Sequence, residues 1–76
     1  MHLTILAFAQ AQTQLGFRER VVECTATESP RALLARIAPG FDPAGMRVAL
    51  DCEYREWDAP IGGAAELALI PPVSGG

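Results

Sequence analysis

Residues 3–8 (Leu-Thr-Ile-Leu-Ala-Phe) carry apolar side chains on both faces of an extended chain: Leu3, Ile5 and Ala7 on one, Leu6 and Phe8 on the other. They predict a first strand. Ala9 to Leu15 is polar and Gln-rich, and Gly16 punctuates it as a turn needing permissive backbone angles would. Residues 17–25 (Phe-Arg-Glu-Arg-Val-Val-Glu-Cys-Thr) predict a second strand, joined to the first by a long, irregular hairpin loop.

Ser29-Pro30 is a helix start, because Ser caps a free amide and Pro loses nothing at the first helical position. Leu33, Leu34 and Ile37 form an apolar stripe at helical spacing, and Pro39-Gly40 ends it. A helix this short needs a sheet to hold it. Met46, Val48 and Leu50 alternate with Arg47, Ala49 and Asp51, which predicts a strand with one buried face. A shorter extended piece spans Glu53–Trp57, Asp58-Ala59-Pro60 breaks the pattern, and Gly62-Gly63 marks a tight turn. Glu66–Ile70 is the last strand, with Leu67 and Leu69 on one face and Ala68 and Ile70 on the other.

The order strand, strand, helix, strand or strands, strand gives an α+β roll: a mixed four- to five-stranded sheet with one main helix on one face. The helix lets the chain cross over and set the last strand beside the first. Residues 1–70 read as one domain and 71–76 as its tail. With 76 residues the chain has room for one small domain only. Half of them are apolar, so a true core is expected.

The net charge of −3 argues against nucleic acid as a partner, since phosphate binding needs a basic patch. All six basic residues are Arg, so no lysine side chain here can accept an isopeptide bond. No apolar run approaches the ~20 residues that span a bilayer, and no basic leader precedes the first apolar stretch. A soluble, cytoplasmic protein is the expectation. Cys24 and Cys52 are too few and too far apart for a metal site; buried, reduced thiols are the ordinary reading, with a redox or sulfur-relay thiol at Cys52 as the alternative.

The chain closes on Pro71-Pro72-Val73-Ser74-Gly75-Gly76. Two prolines cannot donate to a sheet ladder and stiffen the backbone toward polyproline geometry. Drawn out, these six residues reach roughly 20 Å. The last two have no side chain, so the terminal carboxylate can enter a channel too narrow for other residues. A frayed end is the plain alternative. A terminal Gly-Gly alone is a weak signal, and the order of elements before it strengthens it.

These features together resemble the MoaD-type sulfur carriers, the small subunit of molybdopterin synthase, which share the ubiquitin-like β-grasp with ThiS. Leu6-Ala7-Phe8-Ala9-Gln10 with Leu15-Gly16 is similar to that family's opening, and Glu66 through Gly76 to its closing strand and tail. The helix and Asp58-Ala59-Pro60-Ile61 fit more loosely. Asp51 stands where the family often has Asn, and Gln12 where it often has a basic residue. Either change bears on partner affinity and neither touches the tail.

The resemblance implies a carrier with no catalytic side chain and no cofactor of its own. An E1-like adenylyltransferase, using ATP, would adenylate the Gly76 carboxylate, and sulfur would displace AMP to leave a thiocarboxylate. The tail, Pro71 to Gly76, would enter the active site of the molybdopterin synthase large subunit, within a heterotetramer, and give sulfur to a pterin precursor. Carriers for thiazole or cysteine synthesis, protein modifiers and non-carrier β-grasp interaction domains are the alternatives. Phe8, Leu6 and Ile70 would face away from the helix and mark a partner surface, unless the first hairpin loop folds over them. Tyr54 matches a partner-contacting position. His2 reads as a solvated strand residue, Trp57 as a rim or core anchor, and Glu53, Glu56 and Asp58 as a solvated acidic edge. The sequence holds no nucleophile–base pair, phosphate loop or metal-ligand spacing, and an independent enzyme is not expected.

Overall fold

Strand β1 (His2–Ala7) organises the sheet, pairing antiparallel with β2 (Glu19–Glu23) on one side and parallel with β5 (Glu66–Ile70) on the other. Strand β3 (Arg47–Leu50) lies antiparallel to β5, and β4 (Glu53–Arg55) closes the far edge. The order β2-β1-β5-β3-β4 puts the first and last strands side by side, as the crossover required. The computed structural model describes residues 1–72.

Helix α2 (Pro30–Ile37) starts where its residues dictate: the Ser29 hydroxyl accepts a hydrogen bond from the Ala32 amide at 3.1 Å, with Pro30 at the first position. Its buried face carries Leu33 and Leu34. They meet Leu3 and Ile5 of β1, Val48 and Leu50 of β3, and Leu67 and Leu69 of β5 in one cluster. Each such side chain, fully buried, contributes about 2 kcal/mol over an exposed one. That packing holds a helix which, at 8 residues, would not persist alone. The result is an α+β β-grasp.

The first connection differs from the irregular loop expected between β1 and β2. Ala9–Leu15 forms a short helix, α1. None of the usual sequence signals marks it: Phe8 provides no side-chain cap, no acid stands in its first turn and no base in its last. Tertiary contacts hold it instead. Ala11 is buried in the core, and the Gln14 side-chain amide makes two bonds to the backbone of Asp42, donating to its carbonyl (2.9 Å) and accepting from its N–H (2.8 Å). Gly16, expected as a turn, is the cap that ends α1, with φ 82° and its N–H on the Gln12 carbonyl.

Strands β2, β3 and β4 are shorter than expected, while β5 has the expected bounds. β2 covers Glu19–Glu23 of the expected 17–25, and β4 stops at Arg55. Trp57 turns inward, half-buried against the core, and its indole N–H donates to the Met46 carbonyl at 3.2 Å. β3 and β4 are joined by a two-residue turn, Asp51-Cys52, with φ of 50° and 69° at the two positions, the sense that suits a right-twisted hairpin. Asp51 earns its place there. Its Oδ1 accepts from the amides of Ala65 and Glu66, at 3.0 and 3.1 Å, at the start of β5. An asparagine oxygen could do the same, so replacing an amide by a carboxylate leaves this contact available.

Candidate functional site

The cross-strand register assembles a row on the face away from α2: Glu19, Leu6, Ala68, Ala49 and Tyr54 stand opposite one another across five strands. One step along β5, Ile70 pairs with Arg47. Because Ala7 pairs with Leu69, Phe8 follows at the level of Ile70. Phe8 keeps extended backbone angles (φ −124°, ψ 151°), so it continues the alternation and shares a face with Leu6. The next residue, Ala9, has φ 49° and turns the chain sharply into α1.

Phe8 is 46% exposed and Tyr54 56%, while Leu6 and Ile70 are half-buried. Helix α1 therefore leaves Phe8 exposed rather than folding over it. Leu6, Phe8 and Ile70 come together around the end of β5. Tyr54 stands apart, at the far edge beyond the two small alanines. Arg47 links the two ends: paired with Ile70, it lays its guanidinium 3.9 Å from the centre of the Tyr54 ring. On sequence Arg47 was one polar position in an alternating strand. Only the register shows what lies beside it. Val21, exposed and opposite Thr4 on the same face, is a second apolar position that sequence reasoning passed over.

The tail leaves the body from this corner. Pro71 is half-buried and Pro72 exposed, and Pro72 lies against the bare Cα of Gly45, where an added Cβ would stand 3.4 Å from the proline Cβ. The loop that presents Gly45 is fastened at several points. Gln14 of α1 holds Asp42, the Asp42 carboxylate accepts from the Ala44 amide at 3.0 Å, and the Met46 N–H donates to the Pro43 carbonyl at 2.7 Å. Val73, Ser74, Gly75 and Gly76 lie outside the described residues.

Beside Phe8 the surface opens into a broad hollow of about 1060 Å³, lined by Leu6, Phe8, Gln12, Phe17, Arg18 and Glu19. Gln12 thus borders the apolar corner rather than lying buried within it. Cys52 sits in the β3–β4 turn, next to the start of β5, at the opposite end of that strand from the tail base. Burial, with a smaller push from the Glu28 charge, raises the Cys24 thiol above its ordinary range, as an inert structural thiol requires.

The other residues singled out from the sequence are structural or solvated. His2 is exposed and pairs with Glu23 at 2.6 Å. Asp58 accepts from Arg31 at 2.8 Å, and Glu53 and Glu56 are exposed. Among the described residues no group of three His, Cys, Asp or Glu side chains could hold a metal, and no helix is long and apolar enough to cross a membrane. Buried polar or charged residues are absent from the core of the described chain. What the face offers chemically is apolar contact, one stacked guanidinium and a stiff exit for the C-terminal segment.

The sequence profile of the ThiS family matches residues 5–76, nearly the whole chain. This protein belongs to the ThiS family. Its ThiS-family fold is also that of SAMP1 from Haloferax volcanii, with a TM-score of 0.74 at 22% identity, covering 100% of both chains. A Pyrococcus furiosus protein assigned as molybdopterin converting factor, subunit 1, matches with a TM-score of 0.71 at 19% identity, over 96% of this chain and 99% of that one. A second structure of the H. volcanii protein, small archaeal modifier protein 1, gives 0.73 at 21% identity, over 95% and 98%. At these identities the structures show a shared fold. The ThiS-family membership makes the chain a β-grasp sulfur carrier.

Proposed function

We propose that this ThiS-family carrier is the small subunit of a molybdopterin synthase, working through its C-terminal carboxylate. The observation that carries this reading is the corner where Phe8, Leu6 and Ile70 surround the exit of Pro71-Pro72, with Gly75-Gly76 at the end of the sequence. An apolar patch at the base of the tail gives a partner something to grip while the side-chain-free end enters its active site.

The chemistry needs no catalytic group on the carrier. A carboxylate resists nucleophiles until one oxygen becomes part of a leaving group. An E1-like adenylyltransferase joins the Gly76 carboxylate to the α-phosphate of ATP and releases pyrophosphate. A sulfide donor then attacks the acyl carbon, the carbon–sulfur bond forms, and the bond to AMP breaks. The thiocarboxylate that remains is a soft nucleophile on a leash. In the large subunit its sulfur attacks a carbon of the pterin precursor, a carbon–sulfur bond forms as that carbon's bond to an oxygen leaving group breaks, and water then cleaves the acyl–sulfur bond to regenerate the carboxylate.

Intact mass measurement after incubation with the E1-like enzyme, ATP and a sulfide donor tests the reading. One sulfur replacing one oxygen at the C-terminus is expected, with no gain after deletion of Gly75-Gly76. A mass that stays unchanged in the full chain defeats it. Sulfur loading without transfer through a molybdopterin synthase large subunit would instead assign the chain to another carrier pathway or to protein modification.

A further inference from the structure

We propose that Arg47 is a specificity-determining docking residue, whose guanidinium receives an aspartate or glutamate carboxylate from the large subunit that accepts the tail. The inference rests on the docking reading above. Among the described residues Arg47 takes part in no ion pair and no side-chain hydrogen bond. Arg31, Arg36 and Arg55 each have a carboxylate within reach. The Arg47 guanidinium carbon lies over the Tyr54 ring, 3.9 Å from its centre, a cation–π contact that uses none of its N–H groups. A planar fork resting on an aromatic ring with its N–H groups unfilled suits a carboxylate, which it can bind through two parallel hydrogen bonds.

Position separates Arg47 from Arg18 and Arg20. Those two lie in or beside β2 at the sheet edge, and Arg20 sits over Phe17. Arg47 lies on the open face between Tyr54 and Ile70, next to the tail base. A partner that covers Ile70 also strips water from this cation, and a desolvated charge requires a counter-charge. The phosphates of the activation step are poor candidates. Drawn into a channel, the six residues after Ile70 carry the carboxylate roughly 20 Å from the corner, beyond the reach of one arginine side chain. The counter-charge therefore belongs to the body of the protein partner.

The test is the affinity of the full chain for a molybdopterin synthase large subunit, measured at low and high salt for wild type, Arg47→Met, Arg47→Lys and Tyr54→Leu. Arg47→Met is expected to weaken binding roughly tenfold to a hundredfold at low salt and to flatten the salt dependence. Arg47→Lys should fall between, keeping charge without the fork, and Tyr54→Leu should weaken binding by loosening the guanidinium. Circular dichroism and thermal melts check that each variant is folded; Arg47→Lys and Tyr54→Leu keep the test open if Arg47→Met is not. Folded variants that bind like wild type at both salt levels overturn the proposal and leave the carrier reading intact. Wild-type protein that neither gains sulfur nor binds the large subunit overturns the carrier reading, and this proposal with it.

Discussion

Pro72 rests against Gly45, whose φ of 76° turns its bare Cα toward the base of the tail at a spacing where an added Cβ would be 3.4 Å away. The two residues are far apart in the chain, and they meet just after β5 ends at Ile70. Gln14 on α1 and the Asp42 carboxylate shape the loop that brings Gly45 there.

Gly45→Ala separates backbone strain from contact. The left-handed angle costs a residue with a Cβ ~1–2 kcal/mol, while 3.4 Å is an ordinary van der Waals spacing. Loss of stability in urea unfolding with near-normal sulfur loading is the expected result. Gly45→Val adds branched bulk toward Pro72, and its loading rate should fall further than its stability accounts for.

Phe8→Asp should leave folding almost untouched, because the side chain is already 46% exposed and surface changes usually stay within about 0.5 kcal/mol. Association with the large subunit should weaken at least about tenfold, as for a charge placed in an apolar interface. Titration calorimetry beside a thermal melt reads both effects. Equal affinity would remove Phe8 from the interface.

Leu67→Ala is expected to unfold the protein in large part. Leu67 is fully buried in β5, between Ile5 of β1 and Leu50 of β3, and such a truncation costs about 2–5 kcal/mol. A core this small supplies only a few kcal/mol of net stability. Denaturant unfolding followed by circular dichroism shows the outcome directly.

Glu28 gives the fold an acid limit. Its carboxylate accepts two bonds from Arg36, at 2.9 and 3.0 Å, and one from the Thr25 amide, at 3.1 Å. The Arg36 bonds, and then the Thr25 amide, hold its pKa below the ordinary carboxylate value. A lowered folded-state pKa contributes stability that is present above the unfolded value, near 4.3, and is lost as pH falls through the folded one. Glu28→Gln should thus be less stable than wild type at neutral pH, and the gap should shrink below about pH 4. Paired thermal melts at neutral and acid pH measure it, and a constant gap would contradict the linkage.

Most of the architecture could be read from local pattern. Alternation in residues 3–8 and 66–70 marked the central strands, Ser29-Pro30 marked the helix start, and the crossover rule placed β1 beside β5. These are short-range preferences, so the residues that obey them announce them. Helix α1 was not legible because its support is distant: a polar, uncapped segment becomes helical when Ala11 enters the core and Gln14 meets Asp42.

The same division runs through the candidate site. Phe8, Leu6 and Ile70 stood out on sequence because apolar residues on an uncovered sheet face need a reason. Arg47 did not, since an arginine alternating with valine is ordinary in any strand. Its importance depends on register, which sets Ile70 opposite it and brings Tyr54 beneath its guanidinium. By itself the sequence determined the order of the strands and of the main helix, and the buried stripe, each a matter of neighbouring residues. Tertiary structure alone decided that Arg47 stacks on Tyr54 and that Pro72 meets Gly45, because those contacts join segments that only the packed sheet brings together.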